Sequence, residues 1–148
     1  MKPAGEALII IPFHDVDMMQ ITWHGHYYKY FEVARTELLR GGGIDLDTLH
    51  QTGYLLPVIE SFCRYIAPCR YGMRVLVKAT LKELEYRIKI DYLLTEEGSG
   101  KKLARGYTIQ VAVHDESKDM CFNTPAPICR LLDPSGVLEW TREPEEKT

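Results

Sequence analysis

Apolar and polar positions follow two different rhythms along this chain, and the change of rhythm outlines its architecture. Ala7–Phe13, containing Leu8-Ile9-Ile10-Ile11, is a β-branched run of strand length. From Tyr27 onward the apolar residues step by three and four, at Tyr27, Tyr30, Phe31, Ala34 and Leu38, with Val33 and Leu39 alongside. Lys29, Glu32, Thr36, Glu37 and Arg40 fill the other face, which predicts one long amphipathic helix. Gly41-Gly42-Gly43 ends it, because glycine enters left-handed conformations cheaply. Asp45–Gln51 predicts a short second helix, with Asp45 as N-cap and Gly53 as terminator.

The rest of the chain alternates with a period of two. Leu55–Ala67 is extended and rich in branched residues. Met73, Val75, Val77, Ala79 and Leu81 alternate with Arg74, Leu76, Lys78, Thr80 and Lys82, and Ile88, Ile90, Tyr92 and Leu94 with Arg87, Lys89, Asp91 and Leu93. Glu96-Glu97-Gly98-Ser99-Gly100 is a turn between that strand and the next, whose apolar positions are Leu103, Tyr107, Ile109, Val111 and Val113. Phe122–Leu132 is expected to be a last extended stretch, placed at an edge by Pro125 and Pro127. A single helix with aromatic residues on much of its circumference needs a sheet to cover it. The expected class is α+β, a curved antiparallel sheet wrapped around one long helix. It forms one domain over residues 1–140, with 141–148 an acidic, disordered tail.

The 148-residue length suits one domain with a sizeable core. A formal charge of −3 argues against general nucleic-acid binding, and no apolar run approaches a membrane span. The start, Met-Lys-Pro-Ala-Gly-Glu, lacks a signal-peptide layout. Cys63, Cys69, Cys121 and Cys129 show no CxxC or zinc-ligand spacing, which fits reduced, packed thiols in a cytoplasmic protein.

The candidate chemistry sits where the first strand gives way to the helix. In Phe13-His14-Asp15-Val16-Asp17-Met18-Met19-Gln20-Ile21-Thr22-Trp23-His24-Gly25-His26-Tyr27-Tyr28, two aspartates and three histidines fall within 13 residues, in a chain with five histidines. The first-turn amides of a helix supply positive potential to a carbonyl oxygen, and a carboxylate beside them can attack the carbonyl or deprotonate water. Asp15 is expected to be structural, holding the loop through backbone amides. Asp17 could equally cap the helix entrance. His14, His24 and His26 also invite a metal reading, but the helical period from Tyr27 opposes the strand that such a site would need. Glu32, Glu37 and Glu60 are further carboxylates with solvated or ion-paired roles expected.

Asp15-Val16-Asp17, then Trp23-His24-Gly25-His26-Tyr27 and Tyr30-Phe31-Glu32-Val33-Ala34-Arg35, resemble the hotdog-fold acyl-CoA thioesterases. The likeness is to the group containing 4-hydroxybenzoyl-CoA thioesterase and the thioesterases encoded with the bacterial Tol-Pal system. It extends more weakly through Leu56-Pro57-Val58, Tyr65-Ile66-Ala67-Pro68 and Tyr71-Gly72. The resemblance implies a hotdog fold and hydrolysis of an acyl- or aroyl-thioester of coenzyme A or a carrier protein, without metal or organic cofactor. Asp17 would be the catalytic carboxylate, and the amide at His24 would polarise the carbonyl. Gly25 and His26 would complete the helix-terminal clamp, and Trp23, Tyr27 and Tyr28 would shape the acyl pocket. Coenzyme A phosphates need cations, drawn from Arg64, Arg70, Arg74, Lys78, Arg87, Lys89, Lys101, Lys102 and Arg105, with Arg87 first. Family members form dimers or tetramers with shared sites. The chain departs from the pattern at Gln20, where many relatives have glycine. The competing readings are a non-catalytic acyl-binding module and a hotdog hydratase or dehydratase.

Overall fold

In the computed structural model, which describes residues 1–141, a five-stranded antiparallel sheet curves around one long helix. The main strands are β1 (Ala4–Ile10), β3 (Val58–Tyr65), β4 (Arg74–Glu83), β5 (Ile88–Glu96) and β6 (Lys102–Gln110), in the order β1-β4-β5-β6-β3. β2 (Tyr54–Leu55) and β7 (Val113–His114) form a separate two-stranded pair. Helix α1 (Tyr27–Gly41) lies across the inner face of the sheet and α2 (Leu46–Thr52) follows it. The Asp45 carboxylate accepts from Thr48 N at 2.8 Å, and Gly53 ends α2 at φ +79°, the cap chemistry expected from the sequence.

The inner face is built so that α1 can come close. Pairing aligns Gly5, Ala79, Tyr92, Gly106 and Cys63 in one row across all five strands. At its centre Tyr92 stacks flat on Phe31 of α1, with centroids 4.4 Å apart and planes within 4°. On either side the row is small. A Cβ on Gly5 would lie 2.6 Å from Leu38 Cα, and one on Gly106 would meet Phe31 Cε2 at 2.8 Å and overlap the carbonyl oxygen of Phe62. Tyr27, Tyr30, Phe31, Ala34 and Leu38 of α1 are all buried against this surface, with Val75, Val77, Leu81, Ile90 and Leu94 among their neighbours in the core.

Four expectations change. β1 spans Ala4–Ile10, three residues earlier than Ala7–Phe13, because Pro12 leads into a 3₁₀ turn at Phe13–Asp15. Leu55–Ala67 divides at Leu56-Pro57 into β2 and β3, since proline gives no ladder donor. The inward face of β6 is Ala104, Gly106, Thr108 and Gln110, paired with core residues of β5, while Tyr107 faces outward beside Phe62. Leu103 does join the core, beside the register shift at Leu94/Thr95, but Tyr107 and Ile109 mark the other face because the inward one must stay small beneath Phe31. Phe122–Leu132 is not an edge strand but contains helix α3 (Ala126–Leu132). Pro125 caps it and Pro127 sits in its first turn, where a missing N–H costs nothing. The acidic tail expected at 141–148 lies outside the described residues apart from Thr141, and no described helix is long and apolar enough to cross a membrane.

Gly106→Ala should therefore lower the unfolding free energy by about 1–3 kcal/mol through overpacking. Urea denaturation checks this, and an unchanged midpoint would contradict the close approach of α1 to β6.

Candidate active site

The two aspartates of the entry segment have opposite environments. Asp15 is 1% exposed and accepts hydrogen bonds from Lys29 Nζ at 2.7 Å and Tyr30 Oη at 2.6 Å, while His14 Nε2 and His26 Nε2 stand 3.7 and 3.9 Å away. Its anchors are thus side chains of α1 and its approach, not the backbone amides expected from the sequence. Its carbonyl does accept from Trp23 N at 3.0 Å, which ties the two ends of the loop together. Burial opposes ionisation of Asp15 more than any other single influence. The combined hydrogen bonds and charges, chiefly from Lys29 and Tyr30, nevertheless hold its carboxyl below the usual range. Burial and the bond to Asp15 push the Tyr30 phenol far up.

Asp17 opens a tight turn instead. Val16 pairs with Thr22, Asp17 N donates to Ile21 O, and Gln20 N donates to Asp17 O. The Asp17 carboxylate accepts from Met19 N at 2.8 Å through Oδ1, and no donor among the described residues reaches Oδ2. Gln20 closes the turn at φ +64°, a left-handed conformation that explains why glycine suits this position in the family pattern.

After Thr22, whose N–H donates to Cys69 O, the chain enters a 3₁₀ turn at His24–His26 that runs into α1. The first hydrogen bond of this turn is from His26 N to Trp23 O, so the amides of His24 and Gly25 precede the bonded ladder. Tyr65, at the end of β3, donates through Oη to His24 O at 2.7 Å and meets the Tyr27 ring edge-on at 4.8 Å.

Asp17, His24 and Tyr27 converge on one open cavity of about 350 Å³, walled by Met19, Ile21, Tyr65 and Ile66. Asp17 is the one carboxylate among the lining residues. The wall carries no competing anion: its phenols and nearby thiols are neutral near pH 7 in any case, and burial, the main influence on each, moves them further from ionising. It pushes Tyr27 far up, Tyr65 up to about 12 and Cys63 up to about 11. Tyr65, Ile66, Ala67 and Pro68 were not chosen as site residues from sequence, although they form one of the weaker stretches of the family resemblance.

The other expected site residues lie around this cavity or away from it. The Trp23 indole covers Gly25, where any Cβ would overlap the ring, and it packs between His24 and His26 at centroid distances of 4.9 and 5.4 Å. Tyr28 is partly exposed and meets Phe31 edge-on at 5.7 Å. Arg87 is not brought to the cavity of its own chain. It pairs with Glu83 at 2.7 Å in the turn between β4 and β5, roughly 30 Å along the 10-residue strand β4 from the Asp17 end. Glu32 and Glu37 pair with Arg35 and Arg40 at 3.9 and 3.1 Å, the ion-paired role expected of them. Glu60 lies by Tyr107 and Arg87. No group of three or more metal-ligating side chains forms among the described residues.

Comparison with known proteins places these features in a family. The Thioesterase-like superfamily matches residues 11–141. The candidate esterase sll0410 of Synechocystis is 30% identical over 87 residues, which are 59% of this chain but only about half, 52%, of that relative. Slr0204 from Synechocystis, described as a 1,4-dihydroxy-2-naphthoyl-CoA thioesterase, superposes with a TM-score of 0.77 at 20% identity, over 87% of this chain and 95% of its own. The hypothetical protein TT1821 from Thermus thermophilus also gives 0.77, at 27% identity over 88% and 98% of the two chains.

Asp15→Asn should cost about 2 kcal/mol of stability by weakening charge-assisted hydrogen bonds. Because the folded carboxyl titrates below its ordinary value, its contribution is present above the carboxylate range and is lost as pH falls through the depressed value. The urea midpoint of the wild type should therefore fall more steeply below about pH 4 than that of the Asp15→Asn variant. Parallel acid dependences would contradict the network.

Proposed function

Because the chain belongs to the Thioesterase-like superfamily and has its hotdog architecture, we propose that it hydrolyses an acyl- or aroyl-CoA thioester to the free acid and coenzyme A. The observation that carries this reading is the convergence of Asp17, the His24 turn and an uncharged aromatic wall on one cavity. The aroyl-CoA named for Slr0204 supports the substrate class by analogy alone.

The thioester carbonyl would enter with its oxygen toward the His24 amide and its carbon toward Asp17. In one route Asp17 takes a proton from water, and the hydroxide adds to the carbonyl carbon. The tetrahedral oxyanion is held by the amide and then collapses, breaking the C–S bond and releasing coenzyme A as a thiolate that takes up the proton held by Asp17. In the other, Asp17 Oδ2 adds directly, expels the thiolate and leaves a mixed anhydride that water cleaves. Both routes balance without metal or organic cofactor, and a well-placed oxyanion donor is typically worth about 3 kcal/mol of barrier. The His24 side chain can orient the substrate, whereas its amide serves whatever the side chain. Trp23 holds the turn from outside through Gly25 and His26, Tyr27 and Tyr65 supply the acyl wall, and Tyr28 borders it.

A second protomer completes the proposal. β3 is an edge of the sheet, with no strand on its outer side among the described residues, and Val58, Ile59, Phe62 and Tyr65 along it are 40–61% exposed. Such an edge invites pairing, and a symmetric β3–β3 contact would cover these residues next to the cavity. It would also allow cations of one protomer, Arg87 among them, to approach a coenzyme A bound near Asp17 of the other.

Thiol release from a panel of acyl- and aroyl-CoA esters tests the activity. With the best substrate, Asp17→Asn should lower kcat by at least ~100-fold while the fold is retained, and more than about half of wild-type activity in that variant would overturn the role. Light scattering at micromolar concentration should give two or four times the 17.0 kDa chain mass. An active monomer would overturn the shared site.

A further inference from the structure

The outer face of the sheet carries a second organised feature. Strand pairing aligns Glu6, Lys78, Leu93, Arg105 and Arg64 in one row across all five strands. Arg105 and Arg64 stand directly opposite each other, an arrangement of like charges that disfavours strand pairing. Lys82 and Lys89 extend the positive surface, and with Lys78 and Arg105 they line an open groove of about 520 Å³ in which Asp91 is the one carboxylate. Among the described residues none of these five cations has a carboxylate within 4.0 Å. Lys89 lies over the Tyr107 ring at 4.8 Å. This concentration of positive charge stands on a chain whose formal net charge is −3.

The geometry points to this row of unpaired cations as a docking surface for an acidic carrier protein that presents the acyl group as a thioester, an inference that rests on the thioesterase reading above. Unpaired like charges gathered on one face cost folding stability and serve to steer an oppositely charged partner. Leu93, half-buried between Lys78 and Arg105, adds apolar contact of the kind found inside protein interfaces. A polynucleotide is a poorer fit. Glu6 and Asp91 interrupt a phosphate track, and Phe62 and Tyr107 stack on each other at 5.4 Å instead of leaving two free rings for bases. A second copy of this face would set cation against cation.

The test compares one acyl group carried on an acidic acyl carrier protein and on coenzyme A, for the wild type and for a Lys78→Glu, Arg105→Glu double variant. Lys78 and Arg105 stand among the cations that the sequence offers for coenzyme A phosphates, but both lie on the outer face of the sheet in the row through Leu93 and neither lines the Asp17 cavity, so that role passes to other cations. The double variant should lose at least ~10-fold in kcat/KM for the carrier-borne substrate while hydrolysing the CoA ester within about twofold of wild type, and raised salt should reproduce the loss. Lys82→Glu alone should give a smaller loss of the same kind. Equal losses on both substrates would mean that the face serves coenzyme A phosphates, and would overturn the inference. So would an unchanged rate with the carrier, or hydrolysis of the CoA ester alone. So would binding of a single-stranded oligonucleotide that the double variant abolishes. If the wild type hydrolyses neither substrate, the thioesterase reading falls and this inference with it.

Discussion

The close approach of α1 to the sheet is the constraint on which the rest of the structure depends. The row Gly5–Ala79–Tyr92–Gly106 leaves room for backbone on both sides of a single aromatic stack, Phe31 on Tyr92. That stack positions the helix in depth, and the small flanking residues determine how the helix can lie. Because α1 begins at Tyr27, the same contact fixes the 3₁₀ turn that precedes it, and hence the direction of the His24 and Gly25 amides. Tyr65 secures this turn from the opposite side through His24 O, so the helix terminus is held by both the sheet interior and the edge strand. The pocket is thus a consequence of packing before it is a matter of chemistry.

The aspartates show how two carboxylates two residues apart acquire different surroundings. Asp15 is withdrawn from solvent and satisfied by Lys29 and Tyr30, so its charge is bound up in holding loop to helix. Asp17, on the turn closed by Gln20, keeps one oxygen without a donor among the described residues and borders the cavity. A buried, fully engaged carboxylate is a poor base because protonating it would dismantle its network. An accessible one with a spare oxygen is free to act.

Much of this was legible in the sequence because it is local. The α1 face, the Asp45 and Gly53 caps, and the alternation in β4 and β5 all follow from residues within a few positions of one another. That Asp17 and His24 would lie close together beside a helix start was legible for the same reason, since both belong to one short segment. The parity of β6 was not, since Gly106 and Thr108 face inward only because Phe31, from a distant helix, occupies the space above them. The pocket wall was hidden too. Tyr65 lies 41 positions from His24, and nothing in its neighbourhood signals that its hydroxyl will reach back to that turn. In α3 the prolines that argued for an edge instead start a helix, a choice decided by what packs around Ile128, Cys129 and Leu132.

The most direct measurement is a crystal structure with a coenzyme A ketone analogue, in which a methylene separates the carbonyl from sulfur and blocks hydrolysis. The carbonyl oxygen should lie within about 3 Å of the His24 amide, with the carbonyl carbon facing Asp17 directly or through one water. The acyl group should rest against Tyr27 and Tyr65. An analogue seated with its carbonyl away from both the His24 turn and Asp17 would contradict the account.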